Sequence, residues 1–204
     1  LLFGILLMIG NKKNRPSLFL GLFIITFSAE LFNTILQETH FSTKYPQLLF
    51  SPTDFYFLSP VLLFLYAKSL VVDLTRKDYW LLILGILEFF TFAVLFCFPT
   101  SPKIQLYLTW DNSIFSLFYI LIFTLFALYF IIKVIQLINQ HQTRINNYYS
   151  STQNKQLKWV KMAAYYQLFS FGIMVMSLIF FFNNDFQTEI LFALINLIFI
   201  YWPS

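Results

Sequence analysis

Between short polar turns this chain repeats one kind of segment, a continuous apolar run of roughly twenty residues, as at 17–36, 79–98 and 113–138. Wound as a helix, a run of that length matches the ~30 Å hydrocarbon core of a bilayer. Lipid offers no hydrogen-bond partners, so a spanning segment must satisfy its backbone internally as a helix or within a closed barrel. Barrel strands alternate in polarity over ~10 residues, and these runs do not. The expected fold class is therefore all-α: a polytopic membrane helix bundle. Composition removes the soluble alternative, with 59% hydrophobic and 11% charged residues and a mean hydropathy of +0.72.

The turns divide the chain into seven expected transmembrane helices. Residues 1–10 are too short to span and read as the end of a first helix begun upstream. A signal peptide fits poorly, because no basic stretch and no small-residue cleavage site precede Asn11. A basic turn, NKKNRP at 11–16, leads into helix two at 17–36, with Pro16 suited to opening it. Residues 37–54 are polar and turn-rich. Helix three follows at 55–72, with Pro60 in its first turns where a missing donor costs least. After the basic turn DLTRKD, helix four covers 79–98 and the prolines of FPTSP end it. Residues 101–112 are expected to form a loop, with Tyr107 and Trp110 as interface anchors. Helix five at 113–138 is longer than a span requires, which predicts tilt or projection into water. Helices six and seven are expected at 162–182 and 186–202.

The polar segment 139–161, NQHQTRINNYYSSTQNKQLKWVK, anchors the orientation. Basic residues in short loops are retained on the cytoplasmic side. Eleven of the 13 lysines and arginines fall on one face: Lys12, Lys13, Arg15, Lys68, Arg76, Lys77, Lys133, Arg144, Lys155, Lys158 and Lys161. Lys44 and Lys103 are left for the other, which also holds Glu38, Asp54, Asp111, Asp185 and Glu189. The N-terminus is expected outside and the C-terminus in the cytoplasm, in a multi-pass membrane protein. Arg144, Lys155, Lys158 and Lys161, interleaved with Tyr148, Tyr149 and Trp159, superficially resemble a nucleic-acid patch. Contact with anionic lipid head groups explains them more simply.

Two carboxyl residues fall within expected spans, where an ionised side chain costs about 2.5–3.5 kcal/mol on insertion scales. Glu30 shares one face of helix two with Asn33 and Gln37, at spacings i, i+3 and i+7. That face suits either a hydrogen-bonded contact to a neighbouring helix or an outward-opening ligand or proton site. Glu88 has no polar neighbour at helical spacing, which favours a structural role, with Asn196 on helix seven or Gln167 on helix six as candidate partners. The candidate ligand or polar-core set is thus Glu30, Asn33, Gln37, Glu88 and Asn196.

Residue types set aside several chemistries. The last expected helix has no lysine for a retinal Schiff base, and His40 and His141 fall on opposite faces, which precludes a shared metal site. No HExxH, GxSxG or glycine-rich phosphate loop occurs. Five glycines and seven prolines do not form the pair of interrupted helices that marks many transporters. Cys97 is single and reads as a small apolar residue near a helix end. No enzyme activity, metal or cofactor is expected.

Three pieces in order, NKKNRPSLFLGLF at 11–23, SPVLLFLYAKSL at 59–70 and QLKWVK at 156–161, together with IYW at 200–202, carry a resemblance. The chain resembles the seven-helix membrane sensor regions of bacterial transcriptional regulators fused to a cytoplasmic AraC-type helix-turn-helix domain. It departs from them at Ser59-Pro60, where members often carry Gly-Pro, and in WLLILGIL, which lacks an early His-x-x-Pro-like pattern. The resemblance implies a sensor of a small ligand or envelope signal, with DNA contacted only through a domain downstream of Ser204, and it admits a homodimer. A sensor region for a histidine kinase or another output, and a small transporter or assembly protein, are the alternatives.

Overall fold

The computed structural model describes residues 1–10, 15–39, 41–111, 113–148 and 158–180. Among these residues every regular element is helical. In chain order they are α1 (Leu2–Gly10), α2 (Arg15–Glu38), α3 (Phe41–Lys44), a 3-10 turn (Pro46–Leu48), α4 (Leu58–Val71), α5 (Arg76–Tyr79), α6 (Leu82–Phe96), α7 (Thr100–Asp111), α8 (Ile114–Tyr148) and α9 (Lys158–Phe180). Three stretches, Arg15–Asn33, Arg76–Phe96 and Ile114–Thr143, are helical, long and apolar enough to cross a membrane. The expected seventh helix at 186–202 lies outside the described residues, as does the middle of the 139–161 segment.

The chain divides into two compact units, Leu1–Phe130 and Ile131–Ser204. In the first, α4 is the most deeply buried element. Val61, Leu62, Leu63, Leu65 and Ala67 are all within 1% of complete burial, and Ser59, Pro60 and Tyr66 are buried beside them. A helix that is apolar all round belongs inside a bundle rather than against solvent or lipid. It packs on α2 and α6, while α1 packs on α2. Aromatic side chains from the first part of α8 line its flank: Phe57 meets Phe123 and Phe126, and Phe64 meets Phe130 at 5.4 Å between ring centroids. The outer faces of α1 and α6 are apolar and exposed, Leu2, Phe3, Leu87 and Phe90 among them. Such faces suit contact with lipid.

Helices in lipid gain little from hydrophobic transfer and associate through close packing. Two contacts reach that limit. A Cβ on Gly4 would stand 2.7 Å from the Gly21 carbonyl oxygen, and a Cβ on Gly21 would stand 2.7 Å from that of Gly4. A Cβ on Gly85 of α6 would lie 2.6 Å from Leu58 Cβ and 2.8 Å from its Cα. At these crossings only a hydrogen fits, so α1–α2 and α4–α6 approach backbone to backbone.

Several boundaries differ from expectation. The expected loop at 101–112 is helical as α7, because Pro99 stops α6 while Pro102 occupies the first turn of the next helix, where its lack of an N–H is harmless. Helix three begins at Leu58 rather than 55, since the backbone just before it is turned toward side chains of other helices. At 14 residues α4 is ~21 Å long, short of the hydrocarbon thickness by itself. Helix five runs on to Tyr148, giving α8 35 residues and a length of ~52 Å. Pro60 is the third residue of α4, and Cys97 is the exposed C-cap of α6.

Lys103 closes the corner between α6 and α7. Its side chain is buried, its ammonium donates to the carbonyl oxygens of Phe96 at 2.8 Å and Gln47 at 3.1 Å, and it lies 4.8 Å from the Phe96 ring centroid. A cation at the last carbonyl of α6 also suits the negative end of that helix dipole. In the second unit, Ile131, Val134 and Ile138 of α8 form a buried stripe at i, i+3 and i+7, and Val160 and Ala164 of α9 are buried at i and i+4.

Candidate functional site

Several polar side chains of the first unit converge where the late part of α2 meets the start of α4. Two chain features bring them there. Glu30 and Asn33 are one turn apart on α2. The chain then reverses through the 3-10 turn and Phe50, a non-glycine residue at φ 57°, a conformation that costs an aromatic residue ~1–2 kcal/mol. That reversal returns residues 53–57 to the end of α2. Asn33 Nδ2 donates a short hydrogen bond to Asp54 Oδ1, and the Tyr56 hydroxyl also engages the Asp54 carboxylate. The Ser59 hydroxyl, in the first turn of α4, bonds Glu30.

Glu88 joins the cluster from α6. The first amides of a helix have no intrahelical acceptor. At α4, Leu58 and Ser59 donate to the Phe55 carbonyl and Pro60 has no N–H, which leaves the Phe57 amide. It donates to Glu88 Oε2 at 3.0 Å. The other carboxylate oxygen, Oε1, accepts from the Tyr119 hydroxyl of α8 at 2.7 Å. Glu88 therefore acts as a helix cap supplied from a neighbouring helix, where a carboxylate meets the positive end of the α4 dipole. Tyr119 also packs edge-on against Tyr56 and Phe57.

Asn33, Asp54, Ser59 and Glu88 are each less than 9% exposed. Asp54 and Glu88 both act electrostatically on Glu30, so the three carboxyl groups form one coupled set. Burial pushes the Asp54 carboxyl up to about 6, against the hydrogen bonds from Asn33 and Tyr56 that pull it down. Such a set can hold and exchange protons, and its hydrogen bonds tie α2, α4, α6 and α8 together. Among the described residues no three His, Cys, Asp or Glu side chains are arranged to hold a metal ion.

The structure brings together Glu30, Asn33 and Glu88 of the predicted set. Gln37 lies one turn beyond Asn33 on the same helix, and Asn196 lies outside the described residues. Gln167 sits on α9 in the second unit, whereas the Glu88 bonds described here are to Phe57 and Tyr119. Sequence reasoning missed Asp54, Tyr56, Ser59 and Tyr119. Asp54 and Tyr56 sit in irregular chain and share no helical spacing with Glu30. A usable signal did exist: Asp54, Ser59 and Tyr119 all fall near predicted helix ends on the same side of the bundle as Asn33.

At the opposite end of α2 and α4, Arg15, Pro16, Ser69, Val72, Asp73 and Leu74 border a polar groove. Close by, Lys68 pairs with Asp78, whose other oxygen accepts from the Thr75 amide at 2.7 Å and from its hydroxyl at 2.9 Å. This capping arrangement starts α5 and ties it to the end of α4. No protein-family model, curated protein or solved structure matches the chain.

Proposed function

We propose that this chain is the membrane-embedded sensing region of a bacterial one-component transcriptional regulator. It is a seven-helix, multi-pass inner-membrane protein in this reading, with its N-terminus outside and its C-terminus in the cytoplasm. The observation that carries the proposal is the buried cluster of Glu30, Asn33, Asp54, Ser59, Glu88 and Tyr119. It lies at the end of α2 and α4 away from their basic turns, which under the positive-inside rule is the outward half. Buried ionisable groups in a membrane are expensive, face the bundle interior and point to a functional site as the working hypothesis. A small ligand or envelope signal acting there shifts the bundle between two packings through its differential affinity for them. The resemblance in the three motifs supports the output: an AraC-type DNA-binding domain beyond Ser204, reached through the cytoplasmic ends of the last helices. The role is non-catalytic, and DNA is met only by that domain.

Two experiments test this reading. The codons following Ser204 should encode a helix-turn-helix pattern; a histidine-kinase core there would refute the transcriptional output. In the full-length protein with a reporter gene, Glu30→Gln and Glu88→Gln should each shift the response to signal, and an unchanged response in both would refute the role of the cluster. The same carboxyl groups also suit a small proton-coupled carrier. Proton flux in proteoliposomes, with no downstream output domain encoded, would favour that second reading.

A further inference from the structure

We propose that Asp54 is a proton-operated catch, which in its neutral form holds the segment 51–57 against α2 and in its ionised form releases it. As a route by which a signal enters, the catch rests on the sensor reading above and names external acidity as the input.

Asp54 is buried, yet it belongs to neither α2 nor α4. It is fastened to α2 by the amide of Asn33, a bond that the carbonyl oxygen of a neutral carboxyl group still accepts, less strongly than the anion does. Burial opposes its ionisation and outweighs the hydrogen bonds from Asn33 and Tyr56, which favour it. Glu30 faces the cluster from α2, Glu88 from α6, and the phenols of Tyr56 and Tyr119 from its own segment and from α8. Among the described residues no cation is among the groups that act on Asp54. Lys103 is engaged by the Gln47 and Phe96 carbonyls, and Lys44 lies over the Tyr45 ring. An ionised Asp54 is therefore a buried anion beside two further carboxyl groups, and it gains by moving the short irregular segment toward water. The mechanical consequence follows from the same segment. Its Phe57 amide caps onto Glu88, and Ser59 just beyond it bonds Glu30, so the segment bridges α6 and α2. Releasing it breaks its tie to Asn33 of α2 and its tie to Glu88 of α6 without unwinding either helix.

The direction of the pH effect follows from linkage. Asp54 holds its proton up to about pH 6 when packed and only to its ordinary value of 3.8 when freely solvated. Packing of the segment is thus strongest in acid, weakens as pH rises from 3.8 toward 6, and is flat above that. Between pH 7.5 and pH 5 these two values give about a tenfold change in the packing equilibrium.

The test is amide hydrogen exchange of residues 51–57 in the whole chain, held in nanodiscs of phosphatidylethanolamine and phosphatidylglycerol. After correction for the intrinsic pH dependence of exchange, protection should rise about tenfold from pH 7.5 to pH 5. Asp54→Asn, permanently neutral, should show high protection at both values. A second measurement covers the case in which that variant does not fold: the infrared carboxyl band of wild-type protein carrying isotope-labelled aspartate should lose a protonated aspartate as pH rises through about 6. Exchange that is independent of pH in the wild type, an undiminished pH dependence in Asp54→Asn, or absence of that infrared band would each overturn the catch. A pH-dependent segment in a full-length protein whose reporter ignores pH refutes the sensor reading alone and leaves the catch standing.

Discussion

The hydrogen bond between Tyr119 and Glu88 joins α8 to α6, and its contribution to stability can be isolated in a double-mutant cycle of Tyr119→Phe with Glu88→Met. Either change alone does more than break this contact, since Glu88→Met also strips the acceptor from the Phe57 amide. The cycle subtracts those separate costs and leaves the coupling. Interhelical hydrogen bonds in membranes average ~0.6 kcal/mol and reach ~1.7, because the unfolded chain in lipid also finds partners. Here the O···O distance is 2.7 Å and Glu88 is 8% exposed, both of which place the bond in the upper part of that range. A coupling energy of about 1 to 1.7 kcal/mol is expected, roughly 5- to 20-fold in the unfolding equilibrium. The assay is reversible unfolding in mixed micelles, followed by circular dichroism as the denaturing detergent fraction is raised. Single-mutant effects that add to within about 0.3 kcal/mol would show no coupling and would refute the claim that this bond holds α8 to α6.

Three further outcomes follow from the packing. Gly85→Ala should destabilise by about 1–3 kcal/mol in the same assay, and Leu58→Ala should not rescue it, because the two closest overlapping atoms, Leu58 Cβ and Cα, remain in alanine. Lys103→Met should cost about 1–3 kcal/mol by leaving the Phe96 and Gln47 carbonyls without their buried donor, read as a lowered thermal midpoint. Asp78→Ala should cost about 1–2 kcal/mol: the partly exposed pair with Lys68 supplies under ~1 kcal/mol and shrinks in high salt, while the Thr75 cap supplies ~1 kcal/mol that salt does not remove.

The elements differ in how far they could be read in advance. Helices α2, α6 and α8 announce themselves, since an apolar run in lipid that lacks the alternation of a barrel strand satisfies its backbone only as a helix. α7 does not, because FPTSP looks like a terminator when the same prolines also permit a helix start just after it. The polar set was half visible. Glu30 and Asn33 share a face through helical spacing, which is a local property of the chain, whereas Glu88 showed no companion on α6 because its partners are across the bundle. Asp54 reads as one more acidic residue on a sparse face until the chain reversal at Phe50 places it on Asn33.

The residues by themselves determined the helical class and the apolar stretches able to cross a bilayer, because each depends on local backbone satisfaction and on transfer from water to lipid. Only the tertiary structure decided that α4 is the buried centre, that Gly4 meets Gly21 and Gly85 meets Leu58, and that carboxyl groups from α2, the 53–57 turn and α6 form one hydrogen-bonded set. Those are pairings between segments far apart in sequence. They rest on which backbones can approach closely and which buried donors remain unsatisfied, and neither is a property of any single stretch of chain.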